Sequence, residues 1–216
     1  MFPLYDTIPT IRKPYMNYVI IISNVAVFLY ELMLSSSDIL LEEFFYTYGF
    51  VPSKMFSAFP FLAIITHMFI HGSWFHIIGN MWFLKIFGDS IEDVMGHFKY
   101  FIFYITGGIF ALFFHVIFNP LSPYPLVGAS GAISAVMGAY FVLFYYSHIV
   151  SLIFLIFPFI VEIPALVYLF YWFIIQVLNG LVSNFAGSEV AYWAHAGGFI
   201  YGVFWGVRVR KKRYWY

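Results

Sequence analysis

The chain has no cysteine, and only 9% of its 216 residues are charged, ten basic and ten acidic. Without cysteine there can be no disulfide, no thiolate nucleophile and no thiolate metal ligand. So little charge excludes a soluble globular domain, and the few basic residues form no surface that would need nucleic acid. No H-E-x-x-H motif occurs and no carboxylate accompanies His67, His71, His76 and His195, which argues against a zinc peptidase. Asp89 is expected in an inner turn and Asp6 lies near the terminus, so an aspartyl intramembrane mechanism lacks its pair. What the chain does have is 63% hydrophobic residues, 25% of them all aromatic. That is the composition of a polytopic membrane protein.

The apolar runs give six spans, over about 18–34, 74–94, 98–118, 129–146, 165–183 and 192–207, within a single all-α membrane domain of residues 1–216. Two further greasy stretches are too short or too broken to add a crossing. Residues 59–70 are about half a span and are expected to be interfacial or re-entrant, inside an outer loop over 35–73. Residues 149–164 are interrupted by Pro158, Glu162 and Pro164 and are expected to lie along the membrane surface before the fifth span. The first 15 residues, with Pro3, Pro9 and Pro14, do not read as a removable signal peptide. Arg12 and Lys13 precede the first span, and Arg208, Arg210, Lys211, Lys212 and Arg213 follow the last, so both termini are expected in the cytoplasm.

Polar groups inside a bilayer are costly and are functional candidates by default. On this topology the second, fourth and sixth spans all run inward. His76 and Asn80 then lie in the outer half of the second, Ser130 in the first turn of the fourth and His195 in the first turn of the sixth. They share one depth, and the polar residues stop about halfway across, unlike those of a channel or transporter. A serine hydroxyl becomes a nucleophile when a neutral imidazole takes its proton, so Ser130 and His195 are the candidate catalytic dyad. His76 and Asn80, at i and i+4, share a helix face and could both donate to one developing oxyanion. Gly131, Ala135 and Ala139 form one stripe of small residues and Ala194, Gly198, Gly202 and Gly206 another, a pattern that lets membrane helices approach closely. Gly128 frees the backbone just before Ser130. His67 and His71 are expected to orient the outer loop. His97, His115 and His148 are expected near the cytoplasmic side or away from the cluster, without a role. Trp172 and Gln176 on the fifth span are expected to line a substrate path.

The combination of "GASGA" opening one span, "HIIGN" on an earlier one and "AHAGGFIYG" opening the last resembles the rhomboid intramembrane serine proteases. The likeness runs from the first span to Gly206 and takes in "GDSIEDVMG", with Glu92 and Gly96. It implies a compact rhomboid-like bundle of six spans, of the bacterial type and so in a bacterial cell membrane. It implies an intramembrane serine endopeptidase that cuts transmembrane segments of other membrane proteins near the outer face. The dyad would be Ser130 and His195, with His76, Asn80 and the Ser130 amide as oxyanion hole, and without metal or other cofactor. Gly128, Gly131, Gly198 and Gly202 would support that arrangement. The outer loop would be lipid-embedded, and the fifth helix with a cap loop over 184–191 would be mobile. One position departs from the pattern: where many members stack an aromatic ring on the catalytic imidazole, this chain has Ser134. The competing expectation, a non-catalytic relative that binds membrane clients, would usually lack Ser130 or His195.

Overall fold

The computed structural model describes residues 1–57, 59–154, 157–186 and 190–213. The molecule is predominantly helical. Strand β1 (Phe2–Asp6) leads into α1 (Tyr15–Leu34). The outer loop that follows holds α2 (Asp38–Tyr48), a 3-10 turn (Pro52–Phe56), the short α3 (Ala63–Thr66) and a second 3-10 turn (His67–Phe69). Next come α4 (Trp74–Met95), α5 (His97–Phe118), α6 (Ser130–Leu143), strands β2 (His148–Phe154) and β3 (Pro158–Pro164), then α7 (Ala165–Ala186) and α8 (Tyr192–Arg213). Three of the helices have segments long and apolar enough to cross a membrane: Tyr15–Leu34, His97–Phe118 and Ala165–Val182. α6 is apolar but shorter. The outer-loop segment 59–70 contains only short helical turns.

Local signals account for the helix ends. Ser73 caps α4 by accepting the His76 amide at 3.2 Å. Gly96, at φ +77°, both ends α4 and opens α5, a reversal that a residue with a side chain would resist. α6 is the hub of the bundle: every residue from Gly131 to Tyr140 is buried. Its 14 residues span only about 21 Å, against roughly 30 Å of bilayer hydrocarbon. Ser130 is its first residue.

α6 and α8 make the closest seam. A methyl group added at Gly198 would collide with the Gly131 carbonyl, and one at Gly202 with the Ala135 carbonyl. One at Gly206 would lie 2.9 Å from Val142 Cβ, and Gly138 faces the Phe199 backbone in the same way. Side chains at these positions would hold the two backbones apart.

The expectation of an all-α chain needs correction. Residues 149–164 do not simply lie along the surface; they form the antiparallel β2–β3 hairpin, pairing His148 with Pro164 and Ile153 with Phe159. β1 adds to the other side of β2, with Phe2 opposite Leu152 and Asp6 opposite Ile149, which gives a three-stranded sheet of order β1-β2-β3. Asp6 ties the sheet to the bundle by accepting from Tyr140 Oη at 2.7 Å and Ser90 Oγ at 2.9 Å. Burial outweighs these bonds and holds the Asp6 carboxyl above its ordinary range. Nearby, Glu92 accepts the Met16 and Asn17 amides that open α1, at 2.9 and 2.6 Å. The Asn17 side chain donates to Leu84 O and Asp89 Oδ1 and accepts from Tyr100 Oη at 2.7 Å. This end of the molecule is a fully partnered polar knot.

Candidate active site

At the opposite end of α6 the polar groups are few and sparsely bonded. Ser130 Oγ lies 2.8 Å from His195 Nε2, across the seam from the first turn of α8. The other imidazole nitrogen, Nδ1, lies 2.8 Å from Oε1 of Gln176 on α7. An amide oxygen only accepts, so Nδ1 carries the ring proton and Nε2 is left to accept from the Ser130 hydroxyl. That tautomer is the one a general base requires. The ring is further enclosed by Trp172 of α7 at 6.1 Å between centroids and by Tyr192 edge-on at 6.3 Å. Trp172 and Gln176 therefore meet His195 itself. Ser134, where an aromatic ring could have stacked, turns its hydroxyl back to the Ser130 carbonyl at 2.6 Å.

Gly128 brings His76 to the same place. Its φ of +118° is a conformation for glycine, and its amide donates to the His67 carbonyl at 2.8 Å. A methyl group on it would sit 2.6 Å from His76 Nε2 and 3.7 Å from Ser130 Oγ, so the imidazole and the hydroxyl flank one bare backbone. One turn along α4 from His76, Asn80 is only 8% exposed, and its Nδ2 has no partner among the described residues. An amide donor buried and unpaired costs free energy that a later acceptor could return. Beside Ser130 lies a cavity of about 10 Å³, room for roughly one water, walled by small residues that include Gly108, Ala111, Gly131 and Ala194.

His67 and His71 stand behind this layer. His67 Nδ1 donates to Ala63 O at 2.8 Å, and burial drives its pKa down to about 4. Burial drives His71 to about 3; its amide donates to both Glu31 carboxylate oxygens, at 3.0 and 3.2 Å, and its ring meets His76 edge-on at 5.0 Å. Both are neutral groups that fix the loop carrying Gly128's partner and the start of α4. His115 corrects an expectation: it sits in the last turn of α5, at the Ser130 end of the bundle, half-buried and with Nδ1 unpartnered among the described residues. His97 pairs with Glu92 at the inner turn, and His148 opens β2. Among the described residues no three His, Cys, Asp or Glu side chains are grouped to hold a metal ion. Of the expected cap loop over 184–191, residues 187–189 lie outside the described residues, Glu189 among them.

Gln176 is a contributor whose contact with His195 the sequence reading did not include. Its signal was available: a polar residue inside an apolar span, one turn after a tryptophan. Its partner was not, because 19 residues and a loop separate it from His195.

The fold and this layer define a class: an integral membrane protein with a hydroxyl and an imidazole hydrogen-bonded inside a helical bundle. Comparison with known proteins narrows the class. The Rhomboid domain matches residues 59–212. The mitochondrial Rhomboid protein 1 of Saccharomyces cerevisiae is 28% identical over 159 residues, 69% of this chain and 42% of the yeast protein. Rhomboid protease GlpG of Haemophilus influenzae is 27% identical over 149 residues, 69% of this chain and 70% of that one. Rhomboid-related protein 2 of Mus musculus is 34% identical over 92 residues, 43% of this chain and 29% of its own. The chain belongs to the rhomboid family, which is known for intramembrane proteases.

Proposed function

We propose that this protein is an intramembrane serine endopeptidase that cuts transmembrane segments of other membrane proteins near the outer face. Residues 1–216 would act as one domain of six spans, α1, α4, α5, α6, α7 and α8, with both termini in the cytoplasm of a bacterium. The observation that carries the reading is the 2.8 Å contact between Ser130 Oγ and His195 Nε2 at the head of a 14-residue helix.

His195 takes the hydroxyl proton as Ser130 Oγ attacks the scissile carbonyl carbon, and the carbonyl oxygen becomes an oxyanion. Asn80 Nδ2, His76 and the Ser130 amide supply its donors at the positive end of α6. His195 then returns the proton to the leaving amine, and water releases the acyl group by the same steps in reverse. A peptide bond within a regular helix is shielded by its own hydrogen bonds, so substrates should be single-span proteins whose outer segment unwinds readily.

The test is a fluorophosphonate probe on the purified full-length protein in detergent. Wild type should label and Ser130→Ala should not. Equal labelling of both, or of neither, would remove the serine-hydrolase reading and favour a non-catalytic member that binds membrane clients.

A further inference from the structure

We infer that Gln176 is a third, positioning member of the site, whose Oε1 holds the proton of His195 on Nδ1 and so keeps Nε2 free to accept from Ser130. The inference rests on the protease reading for its kinetic consequence, but its geometry stands by itself. Gln176 Oε1 lies 2.8 Å from Nδ1 while Ser130 Oγ lies 2.8 Å from Nε2, so the imidazole is bonded at both nitrogens, once as donor and once as acceptor. Gln176 is 8% exposed on a helix whose other faces are open to lipid. A buried amide is retained at a cost unless its bond is made. No Asp or Glu is hydrogen-bonded to the imidazole among the described residues, and Ser134 offers it nothing, because that hydroxyl is bonded to the Ser130 carbonyl.

The carrier of this amide is α7, and Ser130 and His195 are not on it. Gln176 therefore links the orientation of the base to the seating of a third helix. With α7 seated, the imidazole is held in its productive tautomer and rotamer. With α7 displaced by about the length of a hydrogen bond, the ring loses its Nδ1 partner, and the tautomer with the proton on Nε2, which cannot accept from Ser130, becomes accessible. A neutral amide serves inside a bilayer where a buried carboxylate would be expensive.

The test uses the full-length protein with Gln176→Leu and Gln176→Glu. Leucine keeps the bulk and removes the acceptor; glutamate keeps an acceptor oxygen whether or not it is protonated. Fluorophosphonate labelling of Ser130 and cleavage kcat should fall about 10- to 100-fold in the leucine variant with KM little changed, and glutamate should restore most of both. Nitrogen-15 spectra of histidine-labelled protein, with His195 assigned by its loss in His195→Ala, should show the wild-type proton on Nδ1 and a mixture of tautomers in the leucine variant. Wild-type labelling in Gln176→Leu, equal loss in both variants, or a wild-type proton on Nε2 would each overturn the assignment. An unreactive wild type whose Nδ1 proton still depends on Gln176 would strike the protease reading and leave the positioning role standing.

Discussion

α8 and α7 both touch the site, and they do so in opposite ways. α8 meets α6 backbone to backbone, with Gly198 and Gly202 set against the Gly131 and Ala135 carbonyls. α7 meets α8 through rings: Phe173 stacks on Phe199 at 4.8 Å, Trp172 lies 6.0 Å from the same ring, and Gly180 sits under Trp193. On its outward face Phe170, Tyr171, Ile174, Leu178 and Leu181 are exposed. Interlocked backbones have no alternative arrangement of similar energy, whereas aromatic faces can slide. The difference teaches where this protein needs rigidity and where it can yield: the Ser130–His195 contact spans the rigid seam, and the Gln176 and Trp172 contacts with His195 span the soft one.

Forcing the seam apart should produce the largest effect. Gly202→Leu places a branched side chain where the Ala135 carbonyl stands, so the ends of α6 and α8 must separate. A misplacement of about 1 Å costs on the order of 100-fold, and both probe labelling and cleavage should fall by at least that much. Full activity in a folded Gly202→Leu protein would mean that the seam does not hold the pair. Next comes the buried amide of Asn80, one turn along α4 from His76. Asn80→Ala should lower kcat about 10²–10³-fold, leave KM nearly unchanged, and still label with the probe, only more slowly.

The soft side is addressed by fastening it. The chain has no native cysteine, so a single engineered pair joining the outer halves of α7 and α4 forms without competition. If membrane substrates enter past α7, the oxidised protein should lose their cleavage at least tenfold and regain it on reduction, while its fluorophosphonate labelling persists. Undiminished cleavage by the oxidised protein would place entry elsewhere.

The smallest effect belongs to the inner end of α6, where Asp6 bonds Tyr140. The folded protein favours the protonated Asp6 carboxyl more than the unfolded chain does, so stability falls as pH climbs from the ordinary carboxyl range through the raised folded value. Asp6→Asn should remove that slope. Its Tm, relative to wild type, should rise by about 2–4 °C between pH 4 and pH 8, measured by thermal scanning, with cleavage unaltered.

Much of this was legible in the sequence for identifiable reasons. Helices announce themselves by length and apolarity, and stripes such as Gly198, Gly202 and Gly206 mark the face on which another backbone can lie. Order and depth then bring Ser130 and His195 toward each other. The sheet was not legible. Residues 149–164 are mostly apolar, without the regular alternation that identifies a strand, and a short apolar run reads equally as buried helix. Its pairing with β1 joins residues about 150 positions apart. Gln176 was visible as a polar residue in a span, but which nitrogen it faces depends on how α7 is rotated, and packing alone decides that.

The sheet has a consequence for how the molecule is made. β1 precedes α1 in the chain, yet its partner β2 is synthesised only after α1, α4, α5 and α6. At about 5–20 residues per second that interval lasts roughly 8–30 s. Through it Phe2–Asp6 is an unpaired edge while four helices insert and collect beside it. The sheet is therefore a seal applied late: it can close only once α1, α4, α5 and α6 have been synthesised and have left β1 within reach of β2.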